Sequence, residues 1–175
     1  HLNLTRTVAL TGASMENPHY VTAIAGAQIK SVVGAGVKDP AATRIISGDV
    51  LTGRKVCENT YLGFYDDQIT AIPEGNDYDL LGWAKPISNK ISLTRALTFS
   101  WLHPDKEYNL NTNTNGEQRA FVVTGMYEEV FPLDIYPMQL LKACLYKDLD
   151  ELENLGAYEV APEDFALTEF VCVSK

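Results

Sequence analysis

Cysteine is scarce in this chain and badly spaced for chemistry. Cys57, Cys144 and Cys172 are odd in number and lie 87 and 28 positions apart, so no C-x-x-C pair is available for zinc, an iron–sulfur cluster or a redox dithiol. Free thiols in a reducing compartment are the plain expectation. Cys57 has no neighbouring histidine to activate it and reads as a buried or incidental thiol. Histidine is thin too, with His1, His19 and His103 isolated from one another. The sequence has no G-x-S-x-G, no H-E-x-x-H and no P-loop lysine, which leaves a freestanding enzyme without a catalytic constellation. Positive charge is short: 14 Lys and Arg against 23 Asp and Glu give a formal charge of −9. That balance repels phosphate backbones and anionic headgroups within a Debye length of about 8 Å, so nucleic acid is not an expected partner. No apolar run approaches the ~20 residues that cross a bilayer, and no signal-peptide pattern opens the sequence. Direct membrane insertion is not expected; docking at a membrane would run through other proteins.

What is present suffices for a core. At 175 residues and 46% apolar content, the chain can form one ordinary domain or two small ones. Its organising stretch is Arg44-Ile45-Ile46-Ser47-Gly48-Asp49-Val50-Leu51-Thr52-Gly53. Ile45 and Ile46 lead into a Gly-Asp pair, and Val50 and Leu51 lead out to a second glycine, which predicts two short strands meeting at a tight corner. Thr7 to Gly12 echoes it, so the two segments are expected to edge one small sheet and turn at the same end.

In chain order, Val8 and Leu10 alternate with Thr7, Ala9 and Thr11, the two-residue period of a half-buried strand. Asn17-Pro18 favours a turn, and His19 to Ile24 completes a hairpin. Ile29, Val32 and Val33 fall at i, i+3 and i+4, an apolar stripe on a short helix that Gly34 or Gly36 can end. Gly34-Ala35-Gly36 is not a dinucleotide fingerprint, because Asp39 stands where the third glycine belongs and the glycines close a helix instead of opening one. Tyr61, Phe64 and Tyr65 could stack on a flat quinone ring, or could equally be sheet residues burying area. Asp66-Asp67 reads as a solvated turn, and Gln68 to Ile72 closes the sheet.

Pro73 to Asp77 is a loop and a candidate boundary. Beyond it Leu80, Leu81 and Trp83 form an apolar patch, and Ile91, Leu93 and Leu97 suggest strands. Asn115-Gly116 is a hairpin cue with Ala120 to Val123 as the returning strand. From Pro132 the pattern turns helical. Pro137 suits a first helical position, with Leu140, Leu141, Cys144 and Leu145 as one stripe. Asp148 caps a second helix with Leu149, Leu152 and Leu155 inward and Gly156 at its end. Pro162 and Glu163-Asp164 open a third, with Phe165, Leu167, Phe170 and Val171 apolar.

The segments 7–12, 17–21, 26–36 and 44–53, in this order, resemble the soluble-ligand-binding β-grasp module of the flavoprotein subunit of respiratory complex I and its relatives. Arg44 to Gly53, followed by Tyr61-Leu62-Gly63, Asp67-Gln68-Ile69 and Gly82-Trp83, resembles one branch in particular, the A subunit of the sodium-translocating NADH:quinone oxidoreductases (Nqr). The likeness continues through Ser92 to Arg95, Asn115 to Ala120, Pro132 to Pro137 and Phe170-Val171-Cys172, nearly the whole chain. It implies an α+β fold in three stretches: a β-grasp domain over 1–73, a mixed β and loop segment over 74–118, and a helical, ferredoxin-like tail without clusters over 119–175. It also implies a peripheral position on the cytoplasmic side of the bacterial inner membrane. The partners would be the other subunits, especially the membrane ones, and quinone is a candidate ligand. The complex would be an NADH:quinone reductase using NAD, flavins, iron–sulfur and quinone in other parts, with this portion not catalytic alone. The A subunit in this family is longer at both ends, so His1 and the stop at Lys175 read as cut points and the chain resembles its C-terminal portion.

In relatives such as the Rnf-type C subunit, the helical region holds two four-iron clusters on C-x-x-C-x-x-C-x-x-x-C-P runs. Laying Phe131-Pro132 on the first terminal Cys-Pro puts Phe121, Thr124, Tyr127 and Phe131 at the ligand positions. Laying Cys172 on the second gives Pro162, Phe165, Thr168 and Cys172. One thiol of eight remains, so the resemblance implies no cofactor, metal or catalytic residue here, and side-chain packing in place of the clusters.

Overall fold

Val8 and Leu10, wholly buried, point from one strand into the core while Thr5 and Thr7 point away from it, the alternation that the sequence predicts. The structure is a computed structural model, described here for residues 2–85, 89–91, 99–117 and 119–174. It divides into two units, residues 1–115 and 116–175.

The first unit is built on five strands: β1 Thr5–Thr11, β2 His19–Ile24, β3 Thr43–Ser47, β4 Arg54–Val56 and β5 Gln68–Pro73. They form one sheet in the order β2-β1-β5-β3-β4. The β1–β2 hairpin is antiparallel from Thr5↔Ile24 to Leu10↔His19. β5 runs parallel to β1, with Leu10↔Ile69, and antiparallel to β3, with Ile45↔Ala71. Gln68 to Pro73 is thus the middle of the sheet and not its closing edge, and four consecutive residues, Ile69 to Ile72, are buried. β1 and β3 flank it as inner strands running in opposite directions, so they leave toward opposite ends, contrary to the sequence expectation.

One helix, α1 Ile29–Val33, lays Ile29 and Val33 on the sheet. Five residues are too few for a helix to hold itself in water. Loop carbonyls supply what it lacks: the Ile29 and Lys30 amides donate to Thr60 and Glu58 O, each at 2.9 Å. Gly34 ends it at φ +57°. Met15, Val37, Ile45, Leu62, Ile69 and Ala71 complete the core.

The run after Ser47 departs from expectation. Val50 and Leu51 lie in a turn, and the next strand starts only at Arg54. The Asp49 carboxylate accepts from the amides of Leu51 and Thr52 at 2.6 and 2.8 Å and from the Thr52 hydroxyl at 2.8 Å. Amides bound to that side chain are not free for a strand ladder.

Past Pro73 the chain stays tied to the sheet. Thr112 N donates to Pro73 O at 3.2 Å, and Gly75 N donates to the Thr112 hydroxyl at 2.8 Å. Glu74 receives Arg44 from β3 through two hydrogen bonds, with Lys55 of β4 at 3.7 Å. The Arg44 guanidinium is the main cause that holds the Glu74 carboxyl below its ordinary 4.5. A carboxyl depressed in the folded state contributes stability that is present above its unfolded pKa and lost as pH falls through the folded value. The urea midpoint is therefore expected to drop below about pH 4.5, and Glu74→Gln to flatten that part of the profile. An unchanged profile in the variant would remove the ion pair from the account.

Leu80 and Leu81 of the expected apolar patch are exposed, and Ile91 lies outside any strand; the Trp83 side chain and Leu93 and Leu97 fall outside what is described. Asn115 has the positive φ, 55°, that the Asn-Gly cue favours, but no strand forms at Ala120 to Val123.

The second unit carries α2 Pro137–Tyr146, α3 Leu149–Asn154 and α4 Ala166–Val171. Pro137 opens α2. The buried face is Pro137, Met138, Leu140 and Ala143, while Cys144 and Leu145 are exposed instead of completing the stripe. The Asp148 carboxylate caps α3 by accepting from Glu151 N at 3.1 Å. Leu152 and Leu155 turn partly inward, but Leu149 is exposed. A 3-10 turn, Pro162–Phe165, leads into α4.

Candidate functional sites

Two places carry the residues that the sequence singles out, one in each unit. In the first unit, the loops after β3 and before β5 are fastened together beneath an exposed aromatic group. Ser47, the last residue of β3 and 1% exposed, donates its hydroxyl to the Asp66 carboxylate and accepts from Gly63 N at 3.2 Å. Thr70 of β5 donates to Gly48 O at 2.8 Å. A buried hydroxyl placed between a carboxylate and an amide fixes one loop against the other. Asp66 is accordingly a structural fastener and not the freely solvated carboxylate expected from its turn. Asp67 is exposed, 3.9 Å from Arg6 Nη1.

Above this lock sit Tyr61, Phe64 and Tyr65, exposed at 68%, 63% and 88%. They bury no core, which overturns the reading of them as packed sheet residues. Phe64 and Tyr65 meet edge to face at 5.0 Å. The Arg6 guanidinium lies 4.8 Å from the Phe64 ring centre and also donates to Phe64 O. Val50 and Leu51, on the neighbouring turn, are exposed too. Cys57 is exposed rather than buried, and the three cysteines are free. His19 hydrogen-bonds Asn17 O through Nδ1 at 2.7 Å.

In the second unit, the eight positions aligned with cluster ligands do not behave alike. Thr124 and Pro162 are exposed; Tyr127, Phe131 and Thr168 are buried; Phe121, Phe165 and Cys172 are half-buried. The contacts cross from one set to the other. Tyr127 donates its hydroxyl to Cys172 Sγ at 2.8 Å, and its ring stands 6.1 Å from Phe121. Phe131 lies 4.8 Å, ring to ring, from Phe165, whose carbonyl accepts the Thr168 hydroxyl at 2.7 Å. Burial, then the Cys172 hydrogen bond, pushes the Tyr127 phenol above its ordinary range. Among the described residues, no three His, Cys, Asp or Glu side chains gather where they could hold a metal ion.

Sequence reasoning missed the Ser47–Asp66 lock and the Arg6–Phe64 stack. The signal for the first lay in the strand period, since Ser47 shares a face with Ile45 and is thereby carried inward. Nothing local ties Arg6 to Phe64, 58 residues away.

Fold and sites define an α+β protein with a five-stranded sheet, an aromatic surface loop and a small helical unit; among the described residues, no helix is long and apolar enough to cross a membrane. The family model described as the NQRA C-terminal domain matches residues 7–58. The A subunit of the Na(+)-translocating NADH-quinone reductase of Shewanella frigidimarina is 41% identical, over 99% of this chain and 39% of its own length. The corresponding proteins of Rhodopirellula baltica and Vibrio parahaemolyticus are 37% and 39% identical, over 99% and 97% of this chain and 38% of theirs. Over nearly its whole length the chain is similar to A subunits of Na(+)-translocating NADH-quinone reductases, and it spans about two fifths of the length of these curated relatives.

Proposed function

We propose that this chain is the C-terminal portion of the A subunit of a sodium-pumping NADH:quinone oxidoreductase, and that it serves assembly and contact between subunits without a redox cofactor of its own. The complex is then the enzyme, coupling NADH oxidation and quinone reduction to sodium transport, and this portion is not catalytic alone. Its partners are the other subunits, and its place is peripheral, on the cytoplasmic side of the membrane.

The observation that carries the cofactor-free role is the crossed filling of the second unit. In two-cluster ferredoxins the fourth cysteine of each run serves the other cluster. Tyr127 with Cys172, and Phe131 with Phe165, pair across the sets in the same crossed sense. That pattern supports a dicluster scaffold whose metal positions have been taken by side chains. The strand order, with a parallel central pair and α1 on one face, supports the β-grasp reading of the first unit. A tagged copy of the chain expressed beside the remaining subunits is expected to bring them down on purification; its recovery alone would contradict the assembly role.

A second reading, a quinone-binding module, is favoured by the exposure of Tyr61, Phe64 and Tyr65 beside a cation. Titrating a water-soluble quinone analogue against tyrosine fluorescence should then saturate at micromolar ligand and fail once Phe64 and Tyr65 are replaced by serine. A flat titration of the unaltered protein leaves the scaffold role alone.

A further inference from the structure

The excess negative charge is not spread along the chain. Residues 116–175 hold 12 acidic and 4 basic side chains, a formal charge of −8, while residues 1–115 hold 11 and 10. The same short unit leaves large apolar side chains outside. Leu145, Tyr146 and Leu149 are 69%, 84% and 77% exposed and stand on either side of the corner at Lys147, where the left-handed backbone (φ 59°) turns α2 into α3. Asp150, Glu151 and Glu153 follow at once and are exposed. Asp148 is occupied in capping α3, and the basic side chains nearby are Lys147 and Lys142, the latter 5.9 Å from the Phe121 ring centre.

Single exposed apolar residues are ordinary on a protein surface. Three large ones within five positions, rimmed by carboxylates, have the arrangement of an interface with an apolar centre and a polar edge. The charge decides what covers it. A second copy docking through the same unit would bring −8 against −8, and an anionic lipid surface would be repelled in the same way. A basic surface would be drawn in, and would need apolar side chains of its own to cover the leucines.

We infer that the α2–α3 corner, centred on Leu145, Tyr146 and Leu149, is the docking surface for a basic, amphipathic segment of a partner protein. This rests on the assembly role proposed above and names the surface that performs it. Leu145 and Leu149 give the segment its grip, and Asp150, Glu151 and Glu153 give it orientation and speed of approach.

The probe is a synthetic peptide of leucine and lysine at helical spacing, compared with one in which serine replaces every leucine at equal charge. Binding to the full chain is followed by fluorescence anisotropy and by amide shifts. The leucine peptide is expected to bind and to shift residues 142–153, with Leu145→Ser/Leu149→Ser weakening it by roughly tenfold. Both leucines are exposed, so that variant keeps the hydrogen-exchange protection of its α2 amides. Glu151→Gln/Glu153→Gln should reduce the dependence of affinity on salt. Equal binding of the two peptides, or shifts scattered over acidic residues everywhere, would mean generic charge attraction and would overturn the proposal, as would no binding. If the tagged chain still retrieves the other subunits while the peptide fails, the surface is wrong and the assembly role stands. If neither occurs, the assembly role falls too.

Discussion

Gly12→Ala will unfold the sheet of the first unit or leave it barely folded, at a cost of roughly 3–5 kcal/mol. Gly12 follows β1 at φ +105°, and a Cβ there would stand 2.1 Å from Ala71 O in the central strand. The neighbouring Ser14 amide donates to that same carbonyl at 3.0 Å, so the carbonyl cannot swing aside without losing a partner. Ala71 is fully buried and paired with Ile45 of β3, which closes the other way out. Gly26 separates strain from clash, because its φ is also positive, +75°, but nothing lies within 4 Å of its missing Cβ. Gly26→Ala should lose only the left-handed penalty, about 1–2 kcal/mol. Urea unfolding followed by a probe in the sheet reads both; equal losses would mean that the close approach at Gly12 is not a constraint.

Phe131→Ala should destabilise the second unit by about 3–5 kcal/mol, the range for emptying a buried aromatic site. Phe131 is 8% exposed with Phe165 against its ring at 4.8 Å. If the unit is held by side chains in the space that clusters would otherwise occupy, its stability depends on them as any core does. Two comparisons check that. Phe170 is 44% exposed on the same small unit, so Phe170→Ala should cost under about 1 kcal/mol. Tyr127→Phe keeps the ring and removes only the hydrogen bond to Cys172, worth about 1 kcal/mol. Because the chain has two units, one melting curve does not report on either alone. Hydrogen exchange of the α2 amides is the suitable reading. A loss at Phe131 no greater than at Phe170 would mean that these positions carry no packing.

The sequence made the first hairpin and its helix legible almost to the residue: His19 to Ile24 is the second strand, and Ile29 to Val33 the helix. There the two-residue and 3.6-residue periods are clean and the turns carry their usual residues. Periodicity states which residues share a face, but not whether anything covers that face. That is why Leu145 and Leu149 came out exposed although their spacing suited a core, and why the three aromatics near β5 stand in solvent. Val50 and Leu51 have strand-forming side chains, but Asp49 takes the amides a strand would use. At Ala120 to Val123 the composition suits a strand, yet among the described residues no partner strand comes alongside. Strand order lay beyond the local signal, since β1 meets β5 only across more than fifty residues. In the second unit, the eight positions rest on a family resemblance alone, while the pairing of Tyr127 with Cys172 and Phe131 with Phe165 is visible only in three dimensions.

The most direct test is elemental. Iron and acid-labile sulfide should be measured on the chain purified without air, so that no cluster is lost to oxidation. On the cofactor-free role proposed above, neither should rise above background, because side chains would then hold the places that thiolates need. Iron and sulfide in near-stoichiometric amounts would contradict the cofactor-free scaffold and, with it, the register that put Tyr127, Phe131 and Cys172 at the emptied positions.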